Sequence, residues 1–185
     1  MWVVALLFGL LLIGVFSSVY ALAHSRVPVV RTPAEHLDAI ASALPLAPGD
    51  RVVDAGCADG RVLRALCRRD GVNGLGLELN GAVWAWAWAK TRLSSVRRRV
   101  RVRWADLFRA DFEDASVVYA FLMPHLLPRL YQKCCDEMRP GTLLATYLFE
   151  VPNRDPERVI LLGRRQDPLC LYRINDAPQG DRPKT

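Results

Sequence analysis

Between Arg51 and Glu150 the chain alternates apolar runs of strand length with segments of helix length, and that alternation leaves few folds open. "RVVDAG" reads as a buried strand, "GRVLRALCRRD" as a helix with Val62, Leu63 and Leu66 inward, and "GLGLELN" as a second strand. "GAVWAWAWAKTRLSSV" continues as a helix after Asn80, and "RVRVRWADLF" sets Val100, Val102 and Trp104 between arginines, as a half-exposed strand does. "ASVVYAFLMP", "HLLPRLYQKCCDEM" and "GTLLATYLFE" follow as strand, helix and strand, and "RVILL" and "LCLYRI" pair as terminal strands. Strands interleaved with helices at this spacing imply an α/β fold, a parallel sheet with helices on both faces. There is no internal repeat.

Ahead of that pattern, "WVVALLFGLLLIGVFSSVYALA" from Trp2 to Ala23 carries no charge over the length a helix needs to cross a bilayer. A transmembrane anchor over residues 1–24 is expected, followed by one domain over 25–175 and a frayed tail over 176–185. A cleaved signal peptide competes, because Ala21, Leu22 and Ala23 resemble a small-x-small cleavage site. Against cleavage, no Lys or Arg precedes the run, and the run exceeds the usual core of a signal peptide. Arg26 and Arg31 follow it, so the positive-inside rule predicts a single-pass protein with its domain on the cytoplasmic side. A helix is expected to start at Thr32, with Thr32 as N-cap, Pro33 at the first helical position and Glu35 three residues on.

The five cysteines form no CxxC pair, and buried free thiols are expected. His24, His36 and His125 have no spacing for a metal or a nucleophile triad, so no metal site is expected and they are given no role. The net charge of +6 suits anionic lipid or nucleic acid without choosing between them. "WAWAWAK" reads either as a membrane-interface patch or as a helix whose Trp84 and Trp88 share a face packed on the sheet, and the spacing favours packing. "RRRVRVR" is accounted for by an alternating strand with a solvated arginine face.

The turn in "VVDAGCADG" narrows the ligand. Dinucleotide enzymes use GxGxxG, but here Gly56, Ala58 and Gly60 are followed by Arg61 where the last glycine of that pattern would stand, and no Gly-Lys-Ser/Thr follows for a P-loop. What remains is a strand-to-helix turn of small residues preceded by Asp54, open to close approach by a ligand. Glu78, at the end of the second strand, is placed to accept hydrogen bonds from both hydroxyls of a ribose. Asp106 falls just after the third strand, at the same edge, where it can accept from an adenine amino group.

In order and spacing, "VVDAGCADG", "GLELN" and "WADLF" resemble the successive motifs of class I methyltransferases that use S-adenosylmethionine. More narrowly, "LELN", "ADLF" and the "VPVVRTP" segment behind an apolar helix are similar to the membrane-associated protein lysine methyltransferases. These include the enzymes that modify the ATP synthase c-subunit and the adenine nucleotide translocase, and prokaryotic relatives. The similarity runs from about Val27 to Glu150. It implies a Rossmann-like class I sheet preceded by one transmembrane helix, and a protein substrate, a lysine side chain in or near a membrane, rather than nucleic acid.

The resemblance also implies roles. Gly56, Ala58 and Gly60 would shape the turn around the methionine part of the cofactor, and Asp54 would hold that turn or accept from the cofactor's amino group. Glu78 would hold the ribose, Leu79 and Asn80 would follow it along the pocket with Asn80 capping the next helix, and Asp106 with Leu107 would bracket the adenine. Thr32 and Pro33 either close the pocket or merely start a helix. Tyr119, at the end of the fourth strand, is the expected catalytic wall, holding the growing ammonium by cation–π contact. The Asn/Asp-Pro-Pro-Tyr signature of amide- and adenine-modifying enzymes is absent, with "YAFLMP" in its place. Ala58 stands where relatives carry glycine, which leaves a catalytically silent, membrane-held module, or a small-molecule or RNA methyltransferase, as alternatives.

Overall fold

The computed structural model describes residues 2–25 and 30–175, with side chains placed over 2–16 and 30–175. Seven strands form one sheet: β1 (Arg51–Ala55), β2 (Asn73–Glu78), β3 (Val100–Trp104), β4 (Val117–Ala120), β5 (Leu143–Tyr147), β6 (Arg158–Leu162) and β7 (Asp167–Arg173). Their order is β3-β2-β1-β4-β5-β7-β6. The first five run parallel; β7 enters antiparallel to β5 and carries β6 as an antiparallel edge. The chain winds outward from β1 in one direction and then from β4 in the other, so the crevice between those two strands is the switch point where ligands lie in open α/β sheets.

The helices are α1 (Trp2–Ser25), α2 (Leu37–Ala43), α3 (Arg61–Leu66), α4 (Gly81–Arg92) and α5 (Leu127–Glu137). One core layer joins Val52, Tyr119, Ala145 and Tyr147 of the sheet to Ile40, Leu63, Leu66 and Ala87 of α2, α3 and α4. The opposite layer joins Val53, Leu77, Val118 and Leu144 to Leu127, Leu130 and Cys134 of α5. The strand period of two sorts these residues: Val52 and Val53 are neighbours in sequence and lie on opposite faces. Asp54, in register with Tyr119 across β1 and β4, shares the face of Val52.

The expected strands and helices are all present, and three local expectations are corrected. Thr32 is not a helix cap; a 3₁₀ turn starts at Ala34 after Pro33, α2 begins only at Leu37, and the Thr32 hydroxyl bonds to Tyr119 instead. Trp84 does pack, stacked on Trp104 at 6.1 Å with its indole N–H donated to the Val102 carbonyl. Trp88 does not share that position: it is 46% exposed, with the Arg92 guanidinium over its ring. The third correction concerns α1, whose described side chains from Trp2 to Phe16 are mostly exposed. Among the described residues no helix is long and apolar enough to cross a membrane, and the expected anchor is unsupported there. The expected tail, 176–185, lies outside the described residues.

Candidate active site

At the C-terminal end of β1 the backbone turns through Gly56, Ala58 and Gly60 with φ of 84°, 48° and 70°. Two glycines adopt that left-handed region freely, whereas Ala58 carries a Cβ there at a cost of about 1–2 kcal/mol. The turn is held open by bonds from its own N–H groups. Gly56 and Cys57 donate to the Leu77 carbonyl at 3.0 and 2.9 Å, and Ala58 donates to Glu78 Oε2 at 3.1 Å. Glu78 Oε1 accepts from Asn80 N at 2.8 Å, so one buried carboxylate joins the β1 turn to the start of α4. Burial pushes the Glu78 carboxyl up, against the lowering effect of those N–H donors. Each carboxylate oxygen retains a second lone pair for a ligand.

Asp54 is a strongly perturbed carboxyl of the site. It is 2% exposed, and its Oδ2 has no partner. Burial, reinforced by the charges of Glu78 and Asp59, raises its pKa to about 8. A buried carboxyl oxygen without a donor is costly unless something arrives to satisfy it. Asp59, three residues beyond the turn's first glycine, is the opposite case. Burial would raise it too, but hydrogen bonds and charge from Arg61 and Lys90 outweigh burial and hold it below the usual carboxylate range.

Asp54, Gly56, Ala58, Thr32 and Tyr119 line one cavity together with Arg31, Cys57, Asp59, Arg61 and Phe121. Five of the residues singled out in the sequence are thus brought together. Glu78 adjoins the cavity through the Ala58 N–H, Gly60 closes the turn with its N–H on the Cys57 carbonyl at 2.7 Å, and Asn80 caps α4 by accepting from Ala82 and Val83. Leu79, between Glu78 and Asn80, accepts the Trp104 indole N–H at its carbonyl. Asp106 and Leu107 are not in the cavity lining; they stand just past β3, where Asp106 Oδ1 accepts from Phe108 N at 2.9 Å. The two strand ends remain adjacent, with Ala105 N bonded to the Glu78 carbonyl.

Tyr119 is only 1% exposed, its hydroxyl 2.9 Å from Thr32 Oγ1. The half-buried ring in the cavity lining is instead Phe121, two residues on along the same face, which no motif in the sequence marks. Asp59 and Arg61 also join the lining without a motif of their own, although Arg61 is the residue that breaks the dinucleotide pattern. His36, given no role from sequence, is 4% exposed and bonded through Nδ1 to the Tyr147 hydroxyl at 2.8 Å. Its partner lies 111 residues away, so no local signal points to it.

Asp54 Oδ2 and the Glu78 carboxylate thus stand as acceptors beside a turn whose backbone carries little side-chain bulk. The sequence profile described as the ANTKMT methyltransferase domain matches residues 54–158. A protein-lysine N-methyltransferase of Saccharolobus islandicus (strain REY15A) is 28% identical over 82% of this chain and 96% of its own length. An ATP synthase c-subunit lysine N-methyltransferase of Caenorhabditis elegans is 28% identical over 84% of each chain. Among solved structures, an RNA methyltransferase from Salinibacter ruber in complex with S-adenosyl-L-homocysteine superposes with a TM-score of 0.77 at 26% identity, over 82% of this chain and 98% of that one.

Proposed function

From the premise that this chain belongs to the ANTKMT methyltransferase family, we propose that it methylates a lysine side chain of a protein in or beside a membrane. That it is an S-adenosylmethionine-dependent methyltransferase follows from the family and from the solved relative bound to S-adenosylhomocysteine. The lysine acceptor and the membrane setting are the proposal. The observation that supports lysine is the likeness to protein-lysine N-methyltransferases along most of the chain, and the donor's methionine amino group is the cation suited to the unpartnered Asp54 Oδ2 beside the small-residue turn.

Once bound, S-adenosylmethionine supplies a methyl group on a sulfonium, poised for in-line displacement. Asp54 would accept the ammonium, Glu78 the ribose hydroxyls, and Asp106 the adenine amino group. The protein's remaining task is to present a neutral amine in line with the methyl group. An ordinary lysine is charged at neutral pH, and leaving water lowers its pKa because burial disfavours the charged form. Phe121, edge-on to Tyr147 at 4.9 Å, offers an aromatic wall at the cavity that tolerates the ammonium as it forms. Ala58 leaves the turn intact, its N–H still on Glu78, which argues against a silent module.

For the membrane setting the support is the uncharged stretch Trp2–Ala23, the exposure of α1, and Trp86 and Trp104, which are more than half exposed beside the basic side chains of α4 and β3. From Arg26 and Arg31 we infer a domain on the cytoplasmic side. The test is a transfer assay with labelled donor and membrane extract, followed by mass spectrometry. Label on lysine is the expected result, lost in Asp54→Ala. Label in RNA would replace this substrate class, and carbonate-extractable protein would end the anchor.

A further inference from the structure

The cavity has a wall that the sheet does not supply. Val30, Arg31 and Thr32 cross the ends of β1 and β4 and close the cavity from above. As it stands, the space under this segment is about 10 Å³, room for about one water and far below the roughly 300–1,000 Å³ of sites that take small-molecule ligands and cofactors. A donor of adenosyl size therefore requires this segment to move.

Its attachments are unequal. At the far end, His36 is held in the core. Tyr147 donates its hydroxyl proton to Asp167 Oδ2 at 2.8 Å, so the 2.8 Å contact between His36 Nδ1 and the Tyr147 hydroxyl oxygen needs the proton on Nδ1. Gly163, in the turn between β6 and β7, lies so near the imidazole that a Cβ there would stand 2.3 Å from Nε2. At the near end, Arg61 Nη1 donates to the Thr32 carbonyl at 3.2 Å and the Thr32 hydroxyl meets Tyr119 at 2.9 Å. Arg61 is itself aimed by Asp59, which accepts from Nε and Nη2 at 3.0 Å each. Thr32 is itself buried, 4% exposed, but Arg61, which holds its carbonyl, is partly exposed, whereas the His36 socket is closed.

We propose that the segment Val30–His36 is a gate over the donor pocket, hinged at the His36–Tyr147–Asp167 socket and clasped at Thr32 by Arg61, which Asp59 holds as a positioning residue. Opening breaks two hydrogen bonds at the clasp and none in the socket. Closing places Thr32 back over Tyr119 and dries the space around Asp54. The gate rests on the methyltransferase reading, because the ligand it admits and releases is the adenosyl donor and its product.

The experiment is stopped-flow binding of S-adenosylhomocysteine and of 5′-methylthioadenosine, which lacks the amino-acid end, to the full chain and to Arg61→Lys and Thr32→Val. A gate predicts that association and dissociation speed up together in both variants and for both ligands, by about fivefold, the factor one net hydrogen bond contributes, with Kd within about twofold. Thr32→Ser should restore the parental rates. If only S-adenosylhomocysteine loses affinity, Arg61 is a direct contact to the donor's carboxylate and the gate is overturned. Unchanged rates in two folded variants overturn it as well. A parent protein that binds neither ligand removes the methyltransferase reading, and the gate with it.

Discussion

Binding of S-adenosylhomocysteine, which keeps the amino-acid end of the donor, should weaken about fiftyfold as pH falls from 8 to 6, the slope steepening towards about 1.4 kcal/mol per unit. Asp54 titrates at about 8 in the free protein, because it is buried beside Glu78 and Asp59. The α-amino group of an amino acid with a free carboxylate titrates above the roughly 7.7–8.0 of a peptide's amino terminus, so well below about pH 8 the free partners carry two protons between them. The bound pair of ammonium and carboxylate carries one. Association then releases a proton, and by linkage the loss of affinity approaches tenfold for each unit of acidification. Only above the ligand amino group's own pKa are both free groups deprotonated; there association takes a proton up and affinity falls again, giving a maximum above about pH 8. Asp59 is held below the usual carboxylate range by Arg61 and Lys90, so it does not imitate this profile. Calorimetry in buffers of different ionisation enthalpy should count about one proton released at pH 6.5. Asp54→Asn should bind more weakly at pH 8 and lose the acid limb. A flat affinity between pH 6 and 8, or an unaltered slope in the Asn variant, would refute the assignment of Asp54 to the amino group.

Ala58→Gly should stabilise the protein by about 1 kcal/mol in urea denaturation, because it relieves the φ of 48° without removing a bond of the turn. Gly163→Ala should cost about 1–3 kcal/mol, since the new methyl group displaces a buried, hydrogen-bonded imidazole. It should also accelerate S-adenosylhomocysteine release by loosening the hinge. Trp84→Ala should cost on the order of 3 kcal/mol through lost stacking on Trp104, while Trp86→Ser and Trp88→Ser stay within about 0.5 kcal/mol of the parent. If the exposed pair meets lipid, those two serine variants lower vesicle co-sedimentation with no change in melting temperature.

The sheet was legible because its signal is local. Val52 and Val53 in β1, Leu75 and Leu77 in β2, and Val117 and Val118 in β4 are buried runs bounded by turn residues, and each needs only a few neighbours in sequence to be read. Asp54 and Glu78 were legible for the same reason: each is the last polar group on a buried strand. The split of the tryptophan run was not legible. Positions 84 and 88 lie on one helical face in any ideal helix, yet Trp84 meets Trp104 and the Val102 carbonyl of β3 while Trp88 stays exposed with the Arg92 guanidinium over its ring.

The polar clasp and socket were hidden because their partners lie far apart in sequence: Thr32 and Tyr119 are separated by 87 residues, His36 and Tyr147 by 111. Their sequence signals also pointed elsewhere. Thr-Pro-x-Glu is a strong helix-start pattern, and its physical basis is that a threonine hydroxyl near a helix N-terminus has free N–H groups to accept from. Here the competing partner was better. A buried phenol under the segment would be left without a partner if Thr32 turned to cap the helix, and the desolvation of that hydroxyl outweighs a cap whose N–H groups can reach water. The 3₁₀ turn from Ala34 to His36 is the local consequence, delaying α2 to Leu37 and swinging His36 inward to Tyr147. The same two tyrosines that complete the core of the sheet thus decide where the first helix of the domain begins, and with it the position of the wall above the donor pocket.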